Sequence, residues 1–291
     1  MTNKENQVNS NCSHSNCDKL NCSTCSKKHS NNDPDSTLFD TNNITHISHI
    51  YGVVSGKGGV GKSLVCGLLA CKLKKLGLKV GILDADITGP SIPKIFGIKE
   101  KLKCDEYNIY PALSKNKIKI VSSNLILDDQ NAPVAWRGPV INGAIGQFYS
   151  QTNWGNIDVL LIDLPPGTSD VFLTVMQSLK VDGIVSISTP QSLVDMIVQK
   201  AIKLASTLNI PVISAVENMS YFECSKCGAI HSIFGESKIV DLCDQYKIDT
   251  HDKLPIDHNF TKLCDRGEIY NIDVDKILIN TTNKILKIIS N

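Results

Sequence analysis

Three sets of side chains in this 291-residue chain have the types and spacing that chemistry requires. The first is Gly56-Lys57-Gly58-Gly59-Val60-Gly61-Lys62-Ser63, which fits the pattern G-x-x-x-x-G-K-S/T in full. Glycines at these positions let backbone N–H groups turn inward around phosphate oxygens, and a helix that opens at the lysine adds its positive dipole end. Lys62 is then placed to reach the β- and γ-phosphates and Ser63 to ligate Mg2+. Gly56, Gly58 and Gly61 also fit the dinucleotide fingerprint, with Asp84 at a distance suited to a ribose acid. A dinucleotide site, however, has no use for Lys62 and Ser63.

The second set is acidic and polar. Asp84 and Asp86 follow the apolar run Lys79–Leu83, and Asp163 ends the run Asp158–Ile162. Acids at the carboxyl ends of buried parallel strands sit at the ligand edge of a doubly wound sheet. Asp163 is a Walker B type candidate for holding Mg2+ through water, and Asp84 is a second such candidate. Asp86 is a candidate for positioning or polarising the attacking water. A turn or helix cap is the competing role for Asp84 and Asp86. Leu164-Pro165-Pro166-Gly167-Thr168 reads as a switch loop in which the Gly167 N–H senses a γ-phosphate. Asn218 is a candidate adenine contact.

The third set is cysteine. Eleven cysteines in a chain with a phosphate loop and no secretory signal point to metal or cluster chemistry rather than disulfides. Cys224-Ser225-Lys226-Cys227 supplies two thiolates that reach one metal centre, whereas a closed site needs four. A symmetric dimer supplies the second pair if Cys224 and Cys227 of each copy meet on the two-fold axis. A local zinc site completed by His231 and a redox pair are the rivals. Cys12, Cys17, Cys22 and Cys25, with His14 and His29 near them, lie in a polar head. They form a second candidate metal or cluster site, zinc or iron–sulfur. Cys66, Cys71, Cys243 and Cys264 fall in helical or core patterns, and Cys104 has no assigned role.

The elements that position these groups follow from periodicity. Ile50–Ser55 is a β-rich stretch running into the loop, and Leu64, Val65, Leu68, Leu69 and Leu73 recur at helical spacing after it. Ile118–Ser122, Asp158–Asp163, Gly183–Ser188 and Ile210–Val216 read as strands, with Asn218 just past the last. Helices are expected from Gly138 through Phe148 and from Ser192 to Leu208. Strand–helix alternation of this kind predicts an α/β fold, a mostly parallel doubly wound sheet with helices on both faces. Leu254-Pro255-Ile256-Asp257 reads as a loop walling a base pocket. Residues 1–45 form a Cys-rich flexible head, expected to be disordered, and 46–291 the nucleotide-binding domain that carries the C-x-x-C motif. Arg137 suits a partner contact, a phosphate or a structural ion pair. The tail from Lys276 to Ile289 reads as a last helix packed on the sheet, with a membrane-binding amphipathic helix as the alternative.

Composition narrows the classes. With 42% hydrophobic residues the chain can bury a sizeable core, and a net charge of +1 makes no case for nucleic acid. No run of 18 apolar residues occurs, so the expectation is a cytoplasmic protein without membrane or nucleic-acid partners.

Lys57, directly after the first glycine, marks the deviant Walker A of the ParA/MinD superfamily, which this stretch resembles. That resemblance implies a P-loop NTPase of the ParA/MinD type and an ATP-linked homodimer in which Lys57 contacts phosphates, often across the interface. With Asp84–Ser91, Trp136–Pro139, Asp163–Thr168, Glu217–Ser220 and Cys224-x-x-Cys227 in the same order, residues from about 48 to 271 resemble the Mrp family of iron–sulfur cluster carrier ATPases. The resemblance implies ATP, Mg2+ and a [4Fe-4S] cluster held at the paired C-x-x-C motifs of a dimer. The cluster comes from a donor and passes to apo iron–sulfur proteins, coupled to ATP binding or hydrolysis. Ser225 stands where proline is usual, and Ser169 where glycine is usual. The head's cysteine gaps resemble the short heads of some bacterial members. The readings set against this one are a positioning or partition ATPase, a zinc-stapled dimer without cluster transfer, and a nitrogenase-like electron-transfer ATPase, whose ligand cysteines lie far apart in sequence.

Overall fold

A computed structural model describes residues 38–87, 89–126 and 138–290. In chain order the elements are β1 (His46–Ser55), α1 (Lys62–Lys75), β2 (Val80–Asp84), α2 (Ile92–Ile95), β3 (Lys103–Cys104), β4 (Ile109–Tyr110), β5 (Ala112–Leu113) and β6 (Lys119–Ser122). They continue with α3 (Gly138–Ser150), β7 (Asn156–Asp163), α4 (Asp170–Ser178), β8 (Gly183–Ser188), α5 (Ser192–Thr207), β9 (Val212–Glu223) and β10 (Ile230–His231). The last four are α6 (Ile239–Tyr246), β11 (His251–Pro255), α7 (His258–Asp265) and α8 (Ile279–Ile289).

Nine of the strands form one sheet in the order β10-β9-β8-β1-β7-β2-β6-β5, with β11 also paired to β9, while β3 and β4 pair with each other as a separate two-stranded sheet. Within the nine-stranded sheet all pairings are parallel except those of the short edge strands β5 and β10, which run antiparallel to β6 and β9. Alternate residues of the central strands enter opposite layers. Tyr51 and Val53 join one core with Leu68, Leu69 and Ile285, while Ile50 and Val54 join the other with Ile145 and Phe172. Strands buried on both faces read as continuous apolar runs, which is why β1, β7 and β8 were legible from the sequence. The register sets Val53 and Asp84 opposite Asp163, so the three central strands deliver their last residues to one edge of the sheet.

The structure corrects several expected boundaries. The strand expected to stop at Val216 continues to Glu223, so Asn218 lies inside β9 rather than beyond it. Leu254 and Pro255, expected in a loop, end strand β11. Leu38 to Thr45, expected within the head, belong to the folded body. Phe39 N–H donates to the Ser178 carbonyl at 2.8 Å and the Asn42 side chain donates to that of Thr152 at 3.2 Å. The tail forms α8, whose Thr281, Thr282 and Ile285 are buried, as expected of a last helix packed on the sheet. Buried Asp252 holds its first turn, accepting from the Thr281 N–H at 2.7 Å and hydroxyl at 2.6 Å. Among the described residues no helix is long and apolar enough to cross a membrane. Cys12, Cys17, Cys22, Cys25, Trp136 and Arg137 lie outside the described residues.

Candidate nucleotide site and cysteine hairpin

The loop between β1 and α1 opens on the carboxyl edge of the sheet. Gly61 precedes α1 at φ 79° and Gly59 sits at φ 81°, a left-handed conformation that costs an ordinary side chain dearly. A Cβ added at Gly58 or Gly59 would meet no atom within 4 Å, so the loop is open on the side where phosphate oxygens approach. The cleft there has a volume of about 300 Å³ and is lined by Lys57, Lys62, Ser63, Asp86, Ser91 and Pro166 among others. Donors, glycine geometry and free space together fit a phosphate chain with Mg2+.

Lys62 and Ser63 converge on Asp163. The Lys62 Nζ lies 2.5 Å from one carboxylate oxygen and the Ser63 hydroxyl donates to the other at 2.5 Å. Asp86, on the far side, has an oxygen 4.0 Å from the same Nζ. Burial alone would lower the Lys62 pKa, but the charges of Asp163, Asp86 and Asp84 outweigh it and hold the ammonium form. Burial pushes the Asp163 carboxyl up, opposed by Lys62 and Ser63. Burial, with the Asp163 charge behind it, pushes Asp84 up to about 8. Asp84 accepts from the Ser122 hydroxyl at 3.1 Å and the Asp86 N–H at 3.3 Å. Asp84 thus braces the Asp86 turn, the capping role set against its metal-binding one.

The remaining predicted residues lie around this centre. Lys57 donates from Nζ to Gln191 at 2.8 Å. The Gly167 N–H, expected to sense a phosphate, donates to the Ser55 carbonyl at 2.8 Å, which pins the Pro-Pro-Gly turn to the phosphate loop. Asn218 donates from its amide to the Val60 carbonyl at 2.9 Å and is almost wholly buried. That brace was not legible in the sequence, since its partner lies 158 residues away. Ser169 caps α4 by accepting from the Phe172 N–H at 3.4 Å.

The cysteines divide sharply. Cys66, Cys71 and Cys243 are buried. Burial pushes the Cys71 thiol up to about 12 and Cys243 up to about 11, so they stay protonated core thiols. Cys224 and Cys227 instead occupy the turn between β9 and β10. There Cys224 N–H donates to Ala229 at 2.9 Å and Gly228 N–H donates to Cys224 at 2.8 Å. Backbone N–H groups of Lys226 and Cys227 lower the Cys224 pKa, with a further bond from the Cys227 side chain. The two strands of the hairpin expose Phe222 and Ile230, and the turn after them exposes Ile233 and Phe234, with Ile230 68% exposed. Among the described residues no three His, Cys, Asp or Glu side chains gather as a metal set, so His231 does not complete a local site.

A parallel sheet whose first strand turns through a glycine loop into a helix, with a buried aspartate ending the adjacent strand against that loop's lysine and serine, defines a P-loop nucleotide-binding protein of MinD-like architecture. MinD from Aquifex aeolicus, in complex with MinC, superposes with a TM-score of 0.61 at 20% identity, covering 82% of this chain and 96% of that one. At higher identity, a nucleotide-binding protein from Archaeoglobus fulgidus, solved in complex with ADP and with cobalt, matches at 44% identity with a TM-score of 0.70. The match covers 78% of this chain and 89% of that one. The iron-sulfur cluster carrier protein of Clostridium perfringens is 42% identical over 235 residues, 78% of this chain and 82% of that protein. Residues 46–290 match the ParA family model described as NUBPL iron-transfer P-loop NTPase, and the chain belongs to that family.

Proposed function

We propose that this protein is an ATP-binding and ATP-hydrolysing carrier of iron–sulfur clusters. It holds a [4Fe-4S] cluster as cargo between the C-x-x-C hairpins of two copies and passes it to apo-proteins. The observation that carries this reading is the hairpin itself. It offers two thiols, one of them biased toward thiolate, on a turn whose flanking residues expose apolar side chains. Two ligands leave a four-ligand centre half complete, and an apolar rim favours burial against another surface. A second copy answers both needs with self-complementary geometry. The names of relatives such as the carrier from Clostridium perfringens support the same cargo.

At the other end, Gly56 through Gly61 would cradle the phosphates and Lys62 would neutralise them. Ser63 would hold Mg2+, with Asp163 and Asp84 behind it. Bound there, Mg2+ supplies the charge that offsets the β- and γ-phosphates. Asp86, on the cleft wall 4.0 Å from Lys62, is assigned to positioning the attacking water. Lys57 would contact phosphates across the dimer, and an adenine contact is retained as a proposal for Asn218. The compartment proposed is the cytoplasm, with a cluster donor and apo iron–sulfur proteins as partners, and neither membrane nor nucleic acid among them.

Anaerobic reconstitution with iron and sulfide tests this function. Visible absorbance and iron per dimer are read for the wild type and for Cys224→Ala/Cys227→Ala. Loss of one cluster per dimer in the double variant is expected. Unchanged absorbance would remove the hairpin as the cargo seat, and a colourless zinc-bound wild type would make it a zinc staple.

A further inference from the structure

Strand β9 is the element that touches both functional regions. Asn218 binds the phosphate loop in the middle of the strand, and Cys224 follows the strand's last residue. Six residues of extended chain span about 20 Å at most.

Between these two points the strand is irregular. Glu217 pairs with Lys253 and Tyr221 with Pro255, so three residues of β9 stand opposite Leu254 alone. Within this bulge Met219 has φ 55°, a left-handed conformation rare for a long side chain in a strand. The bulge is internally braced, because the Ser220 hydroxyl donates to the buried Glu217 carboxylate at 2.5 Å. Beyond it the strand is tied into the hairpin. Tyr221 accepts from the Ile256 N–H at 2.7 Å, and Phe222 and Glu223 pair with His231 and Ile230.

The bond to the loop has a consequence for phosphate binding. The Val60 carbonyl and the Gly61 N–H are two ends of one planar peptide unit. By holding the carbonyl, Asn218 aims that N–H. The fit is close, since a Cβ on Gly61 would lie 2.3 Å from the Asn218 Nδ2. An anion accepting from the Gly61 N–H polarises the peptide and strengthens the carbonyl's bond to Asn218, as hydrogen-bonded chains do. Any displacement of Asn218 tilts the plane and weakens that donor.

We propose that Asn218 is a positioning residue that sets the Gly61 N–H, and that the Asn218–Ser220 bulge transmits nucleotide occupancy along β9 to the Cys224–Cys227 hairpin. The strained bulge is the bistable step, and the paired segment Tyr221–Glu223 moves with the hairpin. Linkage makes the effect reciprocal, so what is bound at the hairpin changes nucleotide affinity by the factor with which nucleotide changes hairpin affinity. The route rests on the carrier reading only for what the hairpin holds.

The test needs no cluster. In the full-length chain, the alkylation rate of Cys224 by iodoacetamide is read by peptide mass spectrometry, with and without saturating Mg·ADP. A nucleotide-dependent change of roughly fivefold or more is expected in the wild type. Met219→Gly keeps the left-handed conformation accessible while loosening the bulge. It is expected to bind ADP within about twofold of wild type and to lose the nucleotide response. Asn218→Ala is expected to weaken ADP binding by at least roughly threefold, the loss of the bond to the loop together with any adenine contact, and to lose the response even at saturation. Circular dichroism melting identifies any variant that fails to fold, and either variant alone decides the point. A wild-type rate indifferent to ADP, or a response retained in the folded variants, overturns the proposal while leaving the carrier function standing. Failure of wild type to bind ADP sinks both, whereas failure to take up iron and sulfide sinks only the cargo.

Discussion

The nucleotide cleft and the cysteine hairpin sit at opposite extremes of pre-organisation. At the cleft the central lysine and its acid are answered within the chain. Lys62, Ser63 and Asp163 interlock at 2.5 Å under the sheet edge, and Asp84 and Asp163 are wholly buried. At the hairpin two thiols stand in a turn whose flanking residues expose apolar side chains, and among the described residues no third His, Cys, Asp or Glu joins them as a metal set. A site that holds its own charges in low dielectric is rigid and intolerant of deletion. A pair of thiols on an exposed turn contributes little to its own fold. On the function proposed above, the first site would hold the nucleotide and the second a cargo in transit.

The largest expected effect breaks the comparison at its strongest point. Lys62→Ala leaves Asp163 buried beside Asp84 without its cation, and loss of one partner of a buried pair costs about 3–5 kcal/mol. A fall in melting temperature together with loss of ADP binding by calorimetry checks it. Cys224→Ala/Cys227→Ala, by contrast, is expected to change stability by no more than about 0.5 kcal/mol while abolishing cluster uptake. Comparable destabilisation by the two changes would mean that the hairpin is a structural knot.

A pair of glycines sharpens the same contrast. Gly61 and Gly228 both have positive φ, 79° and 70°. Only Gly61 is crowded, with Asn218 in the space a Cβ would take, whereas nothing lies within 4 Å at Gly228. Gly61→Ala is expected to cost about 2–3 kcal/mol and to weaken ADP binding at least tenfold, Gly228→Ala about 1 kcal/mol with ADP binding intact. Urea denaturation and ADP titration of both variants decide it.

The pH dependence of stability reports on the buried acids. Asp84 in the folded chain is raised to about 8, while in the unfolded chain it titrates near the ordinary carboxylate value. Between those values the folded state holds a proton that the unfolded state has released. The stabilisation is therefore full below the unfolded pKa and is lost as pH rises through about 8. Without metal or nucleotide, wild type is expected to lose stability relative to Asp84→Asn as pH rises from about 5 to 8, by up to about 1.4 kcal/mol per pH unit. Parallel curves for the two proteins would show that Asp84 is ionised in the fold.

The two regions also differed in what the sequence made legible. The phosphate loop and the strands β1, β7 and β8 were readable because glycine spacing and continuous apolar runs are local signals. The C-x-x-C spacing is a local signal too, but the hairpin that carries it is not, since β10 has only two residues. The extension of β9 was hidden for a different reason. Glu217, Asn218 and Ser220 look like loop residues, and only their buried partners, two of them elsewhere in the chain at the Val60 carbonyl and the Lys238 N–H, allow them inside a strand. Asp252 and Pro255 concealed β11 in the same way, because Asp252 is buried to cap a helix that begins 27 residues later. Tertiary hydrogen bonds thus override polarity where the sequence shows only polarity.

The smallest effect concerns the hairpin thiol itself. In the folded turn the N–H groups of Lys226 and Cys227 point at the Cys224 sulfur and favour its thiolate, which is the form that binds iron and attacks an alkylating agent. Thiolate reactivity rises with pH through the thiol's pKa, so a lowered pKa moves the alkylation midpoint of Cys224 below that of an ordinary exposed thiol. Burial pushes Cys66 well above the ordinary value, so it is expected to stay unreacted until the chain unfolds. Lys226→Pro removes one of the two backbone donors and is expected to move the Cys224 midpoint upward while leaving ADP affinity unchanged. If the midpoint does not move, the turn's N–H groups are not what prepares the thiolate, and the difference between the two regions reduces to exposure alone.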